Sequence, residues 1–434
     1  MIQATSATTA AGPIETRLPT GVKDFLPVKA ARLEHLQTTL RGVFSRWGFL
    51  PVIPASLEDL AVLELGLGSD LREKTFRFDD RQSGRLVAFP PDITPQVARI
   101  AATRLHDLPL PYRLCYSGRV LRHAEQRLGK EREIWQAGVE LIGLDSPEAD
   151  AEMIAMAVEG LLAVGATDFT IDIGQVAFLR GILDGLPLPG AAAIELRAAI
   201  AAKDGTSLQR LLEANPVSHR QREEVLALPR LFGGFETLDR AAAVVGNEVS
   251  KRALDNLHQV LEVLGVYGVD EHVTIDLGEL RGFDYHTGLI FQGFLAGYGR
   301  AVCAGGRYDG LTARYGFPAP ATGFSCNLVN LLFALDRDLD GRAGASIDVL
   351  LFCPGADQAP AQRLATALRS QGYSVARDII ARDRAASLEY ARRMHFRTLL
   401  IMNATNDGLT LQQTADGREI PLSLNAVLAG ECRL

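Results

Sequence analysis

Cysteine is scarce in this chain and poorly placed for chemistry. Only five of 434 residues are cysteine: Cys115, Cys303, Cys326, Cys353 and Cys432. No two form a Cys-x-x-Cys pair and no histidine cluster supplies further ligands, which argues against a zinc centre and a disulfide framework. An odd set of unframed thiols suits a reducing compartment, so buried, idle thiols in a cytoplasmic protein are expected. No apolar run approaches the roughly 20 residues of a membrane span. Met1 to Thr16 has neither the basic start nor the apolar centre of a signal peptide and reads as a disordered tail. Positive charge is also short. There are 45 Lys and Arg against 52 Asp and Glu, a net charge of −7. This argues against nucleic acid as a partner, because a phosphate footprint needs clustered cations. The chain has no Gly-x-x-x-x-Gly-Lys loop and no His-Glu-x-x-His, and Gly66-Leu67-Gly68 lacks the third glycine of a dinucleotide fingerprint. Internal repeats, low-complexity tracts and heptads are missing too.

What is present is ordinary globular material, 47% hydrophobic and 22% charged. The length is enough for two or three domains. Leu18-Pro19-Thr20-Gly21 punctuates the entry to the folded part. From Lys29, apolar residues fall at Leu33, Leu36, Leu40, Val43, Phe44 and Trp47, one face of a helix. A second helix is expected from Pro95 to about His106. Tyr112–Arg122 and Glu133–Ile142 read as two strands joined by the charged loop His123–Arg132, a hairpin in a larger antiparallel sheet. Ala149–Val164 has helical spacing. From about 187 to 265 the chain is rich in Ala and Leu, which predicts a helical insertion. Short strands resume near Thr274, Leu289, Ala301 and Thr322, with a helix after Asn327. Asp338–Ser346 reads as a linker. Beyond it, Ile347–Cys353, Val375–Ile380 and Thr398–Met402 alternate as strands with helices Gln358–Ser370 and Arg384–Met394. That pattern predicts a small α/β domain with parallel pairing over 347–434. The fold class is α+β, with a core over 17–337.

Polar residues embedded in apolar strand context are the local clue to function. Gln136 and Glu140 lie four apart on one predicted strand and so share a face. A Glu among Val139, Leu141 and Ile142 is costly to bury without a partner. With Arg122 near the end of the paired strand, the set could hold a zwitterion or form an internal salt-bridge network.

A resemblance narrows this choice. Leu280-Arg281-Gly282-Phe283-Asp284-Tyr285-His286-Thr287, followed by Ala304-Gly305-Gly306-Arg307-Tyr308-Asp309-Gly310-Leu311, resembles the two histidine-specific signatures of the histidyl-tRNA synthetases. Phe89-Pro90-Pro91-Asp92-Ile93-Thr94-Pro95 resembles their amino-acid-binding loop, and Tyr112–Gly143 their second class-defining motif. The resemblance covers about 17–335 and implies a class II synthetase-like antiparallel sheet flanked by helices. It also implies a histidine pocket. Asp92 and Thr94 would receive the α-ammonium with Gln136 beside them, and Arg281 would pair with the α-carboxylate. Glu140 would accept from a ring N–H, while Tyr308, Tyr285 and His286 would line the ring. Arg122 completes the histidine-binding set. Gly305, Gly306 and Asp309 read equally well as an ordinary turn.

The departures from that family are informative. Arg122 is followed by His123 and Ala124, so the glutamate expected to contact adenine is missing. The Glu-Arg pair of the third motif aligns with Val329-Asn330. ATP carries about four negative charges, so losing a fixed cation should cripple adenylate formation. A retained pocket without activation machinery resembles the regulatory-subunit family of ATP phosphoribosyltransferase. That resemblance implies no catalytic residues and no cofactor. It implies a short-form catalytic subunit as partner, histidine as feedback effector at the first step of histidine biosynthesis, and a homodimer within a hetero-oligomer. A divergent histidyl-tRNA synthetase is the alternative. The last 88 residues weakly resemble a synthetase anticodon-binding domain, through Tyr390-Ala391-Arg392-Arg393 and a final hairpin over Leu409–Pro421. The basic residues there (Arg382, Arg384, Arg392, Arg393, Arg397) are mixed with Asp383 and Glu389 and read as a solvated face.

Overall fold

Two ten-residue strands, Tyr112–Leu121 and Glu133–Ile142, form the antiparallel hairpin that the sequence predicts, and a large sheet grows from it. The computed structural model describes residues 17–123, 131–283, 285–335, 347–354, 358–380, 382–403, 408–432 and 434. The expected tail (1–16), the linker (338–346), most of the hairpin loop, Ala124 and Asp284 lie outside the described residues.

The strands of the large sheet are β1 (Leu50–Pro51), β2 (Tyr112–Leu121), β3 (Glu133–Ile142), β4 (Phe169–Gln175), β5 (Phe232–Gly233), β6 (Val273–Asp276), β7 (Leu289–Leu295), β8 (Ala301–Arg307) and β9 (Ala321–Asn327). They are ordered β1-β2-β3-β9-β8-β7-β4-β6-β5. The pairings from β2 to β4 are antiparallel, and β1 and β6 join in parallel. This is a class II synthetase-like α+β sheet flanked by helices. Strand β4 is absent from the sequence-based expectations; its apolar residues Phe169, Ile171 and Ile173 alternate with Thr170, Asp172 and Gly174 in a short run.

One face of the sheet is covered by helices. Pro27–Arg46 buries Leu33, Leu36, Leu40, Val43 and Phe44, and Phe44 meets Phe324 of β9 edge-on at 5.8 Å. Pro147–Ala163 starts at an Ser146 cap whose hydroxyl accepts from Ala149 N–H, and it packs on β7, β8 and β9. The stretch 187–265 is mostly helical, as expected, but includes the two-residue strand β5 at the sheet edge. Its last helix, Glu248–Tyr267, packs on Pro147–Ala163 and Val176–Leu183. A three-stranded sheet of Glu58–Asp59, Phe76–Asp79 and Leu86–Phe89 is a further element the residue pattern does not announce.

The chain divides into two compact units, Met1–Asp24 with Leu33–Asp338, and Phe25–Arg32 with Leu339–Leu434. The second holds a five-stranded sheet. Ile347–Phe352 pairs in parallel with Val375–Arg377 and Phe396–Met402, and the antiparallel strands Gly408–Gln413 and Glu419–Ser423 follow. Helix Ala359–Ser370 packs on Val349, Leu351, Leu400 and Met402, whereas Ala391 and Leu388 pack on Leu350, Phe352, Leu399 and Ile401, the alternate residues of the same strands. Four of the five basic side chains named from the sequence bond within this unit. Arg382 pairs with Asp378 at 2.8 Å and Arg397 with Asp348 at 3.1 Å. Arg384 bonds Glu419, and Arg392 donates to the Thr414 carbonyl at 2.9 Å.

Candidate functional site

The face of the sheet opposite the helices carries a cavity of ≈ 310 Å³. Strand alternation places Ile134, Gln136 and Glu140 of β3 on that face. Cross-strand partners continue the row, with Asn327 opposite Gln136, Gly323 opposite Glu140, and Ala304 of β8 opposite Ser325. Asp92 comes from the turn ahead of helix Thr94–Arg104. Thr94 is that helix's first residue and Pro95 fixes its start. Tyr285 and His286 come from the loop after β6, and Tyr308 follows β8 directly. Eight of the nine residues expected to bind histidine therefore line one cavity: Asp92, Thr94, Arg122, Gln136, Glu140, Tyr285, His286 and Tyr308.

Arg281 is the exception. Its side chain is 62% exposed, bonds Gln292 and lies 3.8 Å from Glu279. It lines a neighbouring cavity of ≈ 80 Å³ that shares His286, Ala304 and Gly305 with the first. Gly282, with φ +67, follows it in a tight turn, and Arg281, Gly282 and His286 line this second cavity together.

Glu140 is the centre of the inner end. It is 1% exposed. Tyr116 Oη donates to Oε1 at 3.1 Å, and Tyr308 Oη donates to Oε2. Burial pushes its pKa up to about 8, against the pull of the Tyr308 bond, and the charge of Asp92 adds to the rise. Burial likewise holds the phenols of Tyr116, Tyr285 and Tyr308 well above their ordinary range, so all three stay protonated. The His286 pKa is lowered to about 4 by burial, which leaves a neutral ring at pH 7. Its Nδ1 lies 3.3 Å from the Arg307 carbonyl, which fits an Nδ1–H donor.

The outer end mixes acceptors with one cation. Gln136 Nε2 donates to Asp92 Oδ1 at 3.1 Å and to Ser325 Oγ at 3.4 Å. Its Oε1 is buried and has no hydrogen-bond partner, an acceptor held in the wall of the cavity. Arg122 Nε donates to the Pro91 carbonyl at 2.6 Å, which ties the hairpin to the Asp92 turn. Arg122 is the only Lys or Arg among the described lining residues. A cavity with a closed acceptor end, a second acceptor cluster and a cation at the rim suits a small zwitterion carrying ring N–H groups.

Other residues named from the sequence have structural work. Asp309 accepts from Thr287 Oγ1 at 2.8 Å and from Arg307 at 3.1 Å, so it anchors a turn, and Arg307 pairs with buried Asp150 at 2.9 Å. Asn330, at the position of the third-motif arginine, is 9% exposed. It donates to the Ala301 carbonyl at 2.8 Å and accepts from Tyr298 Oη at 3.1 Å, so it braces β8 from the helix Leu328–Leu335. Tyr116, Ser325 and Asn327 belong to the site or its support and escape sequence reading. Cross-strand register would have found them, since Tyr116 lies opposite Gly138 on the face of Gln136 and Glu140.

Comparison with known proteins shows the family and the fold. Residues 21–331 match the family model described as histidyl-tRNA synthetase. The ATP phosphoribosyltransferase regulatory subunit of Syntrophotalea carbinolica is 61% identical over 420 residues, 97% of this chain and 98% of that protein. The chain belongs to the ATP phosphoribosyltransferase regulatory subunit family. The regulatory subunit of Geobacter sulfurreducens is 54% identical over 94% of this chain and 93% of its own length. Among solved structures, an ATP phosphoribosyltransferase regulatory subunit/histidyl-tRNA synthetase from Bacillus halodurans has a TM-score of 0.79 at 26% identity, covering 90% of this chain and 99% of that one. Histidyl-tRNA synthetase from Nostoc has a TM-score of 0.81 at 22% identity, over 96% and 100%, and shares the fold of this regulatory-subunit family member. No helix among the described residues is long and apolar enough to cross a membrane.

Proposed function

We propose that this chain is the non-catalytic, histidine-responsive subunit of a cytoplasmic ATP phosphoribosyltransferase. Its partner is a short-form catalytic subunit, and the complex carries out the first step of histidine biosynthesis under feedback by histidine. The chain acts as a homodimer within that hetero-oligomer. The observation that carries the reading is the closed inner end of the cavity. A buried Glu140 held by two tyrosines is built to accept from a ring N–H. The α-ammonium sits against Asp92, Thr94 and the unpartnered Gln136 Oε1. Arg122 faces the α-carboxylate, whereas Arg281 lines the neighbouring cavity and bonds Gln292. Adenylate formation is disfavoured because Asn330 is committed to Ala301 and Tyr298 where a synthetase would place a phosphate-binding arginine.

Histidine shifts the assembly between active and inactive states by no more than the difference in its affinity for the two. Titration calorimetry tests the site directly. Wild type should bind histidine at one site per chain, and Glu140→Ala should weaken binding by about 10- to 100-fold, the cost of a lost hydrogen bond to charge. Unchanged binding in the variant would remove Glu140 from the site. Phosphoribosyl-ATP formation by the catalytic subunit, with and without this chain, tests the partnership.

A further inference from the structure

A third cavity has no part in the site described above. It measures ≈ 500 Å³, against ≈ 310 Å³ for the cavity that holds Glu140. Leu71, Ala201, Leu280, Phe283 and Tyr285 give it apolar and aromatic walls, and Arg197 is the only cation among its described lining residues. Ser69, Asp70 and Ala201 of that lining are exposed, so the cavity opens to the surface. We propose that this cavity is where the chain grips its catalytic partner, taking from it an apolar side chain that stands next to a carboxylate, and that Tyr285 makes this docking respond to histidine. The inference rests on the proposed role of the chain as a histidine-responsive subunit.

A surface that reports on a ligand needs an element that both sites bias. Tyr285 is the one described residue that lines both this cavity and the Glu140 cavity. Its ring centre lies 5.6 Å from that of Tyr308 and 5.0 Å from that of His286. Its hydroxyl is buried and has no hydrogen-bond partner. An unpaired buried hydroxyl is costly, so a ligand that pairs it favours one placement of the ring over others. The ≈ 80 Å³ cavity also adjoins the Glu140 cavity, but it is far smaller, and there Asp172, Asp276 and Glu279 outnumber Arg281. The chemistry of the guest follows from Phe283. Arg180 of helix Val176–Leu183 and Arg197 of helix Gly190–Ala201 lie 5.2 and 5.6 Å from the centre of its ring, and Arg180 donates to its carbonyl at 2.6 Å. Phe283 is thereby a fixed wall with a guanidinium beside an aromatic face. A carboxylate accepts from the five-donor fork of Arg197 while the adjoining apolar group fills the cavity. Asp70, the only carboxylate among the described lining residues, is already paired with Lys74 at 2.6 Å.

The test uses the full chain with Ala201→Trp, which fills the cavity from an exposed helix end, and Arg197→Glu, which reverses its charge. Calorimetry on each chain alone should give histidine affinities within about threefold of wild type. The concentration of chain that half-activates phosphoribosyl-ATP formation by the catalytic subunit should rise at least about tenfold in both variants. A concentration of catalytic subunit that saturates wild type should change the histidine affinity of wild type at least about fivefold and that of the variants less than twofold, because linkage is reciprocal. Unchanged half-activation in either variant would overturn the docking site. So would activation that weakens only in step with histidine binding, since the cavity would then merely support the neighbouring site. A wild-type chain that activates the catalytic subunit but binds histidine equally with and without it would overturn the coupling through Tyr285. A wild-type chain that never activates the catalytic subunit would instead overturn the proposed function.

Discussion

Glu140 concentrates the energetics of the site at the scale of one residue. Its pKa is raised from 4.5 to about 8 by burial. A carboxyl with a raised folded-state pKa contributes stability that is fully present below about 4.5 and is lost as pH rises through about 8. Glu140→Gln removes that titration. The ligand-free variant should therefore show a flatter unfolding temperature between pH 5 and 8 and gain on the order of a few kcal/mol relative to wild type at pH 8. It should bind histidine poorly, and thermal unfolding at several pH values checks the first half of this expectation. On the proposed histidine reading, the same group would shape ligand binding. Between the imidazole pKa, about 6.5, and that of Glu140, the ring arrives neutral and the carboxyl arrives protonated, so the complex holds one shared proton with no net release. Histidine affinity should be flat from about pH 6.5 to about pH 8 and fall on both sides. An affinity that climbs steadily to pH 8 would mean that the bound pair carries no proton.

At the scale of elements, three strands share the task of holding that carboxyl. Gly323 of β9 lies opposite Glu140, and a Cβ there would sit 2.0 Å from Glu140 Oε2 and 2.4 Å from the Val139 carbonyl. Backbone cannot yield as a flexible side chain can, so Gly323→Ala should lower the unfolding temperature and cut histidine affinity at least tenfold, measured by calorimetry. The hairpin β2–β3 was legible in the sequence because its apolar runs are long and a charged loop separates them. Helix Pro27–Arg46 was legible from one apolar face. Strand β4 alternates Phe169, Ile171 and Ile173 with Thr170, Asp172 and Gly174, a half-buried pattern that the sequence reading passed over. The family resemblance names Asp92, Gln136, Glu140 and Tyr308, and these line one cavity, each lying on or beside a regular strand or helix. Arg281, named with them, lines the neighbouring cavity instead, beside a positive-φ turn at Gly282 that no periodicity announces. Arg122→Ala should consequently weaken histidine binding more than Arg281→Ala, a ranking that parallel titrations establish.

At the scale of the whole molecule, the chain keeps a synthetase-like sheet and uses its third-motif position for bracing. Asn330 bonds Ala301 and Tyr298 instead of presenting a cation. Histidine-dependent exchange of pyrophosphate into ATP should therefore be at background level, and exchange at a synthetase-like rate would restore the synthetase reading. The basic side chains Arg382, Arg384, Arg392 and Arg397 are engaged within their own unit. Salt-sensitive RNA binding is not expected of that unit. The central claim is that one cavity senses histidine for a catalytic site on another chain. The most direct measurement is phosphoribosyl-ATP formation by the catalytic subunit with wild-type or Glu140→Gln chain, each titrated with histidine. Both chains should restore activity, and histidine should inhibit the wild-type assembly while the variant assembly resists it by at least tenfold in concentration. Equal inhibition of the two assemblies would contradict the account.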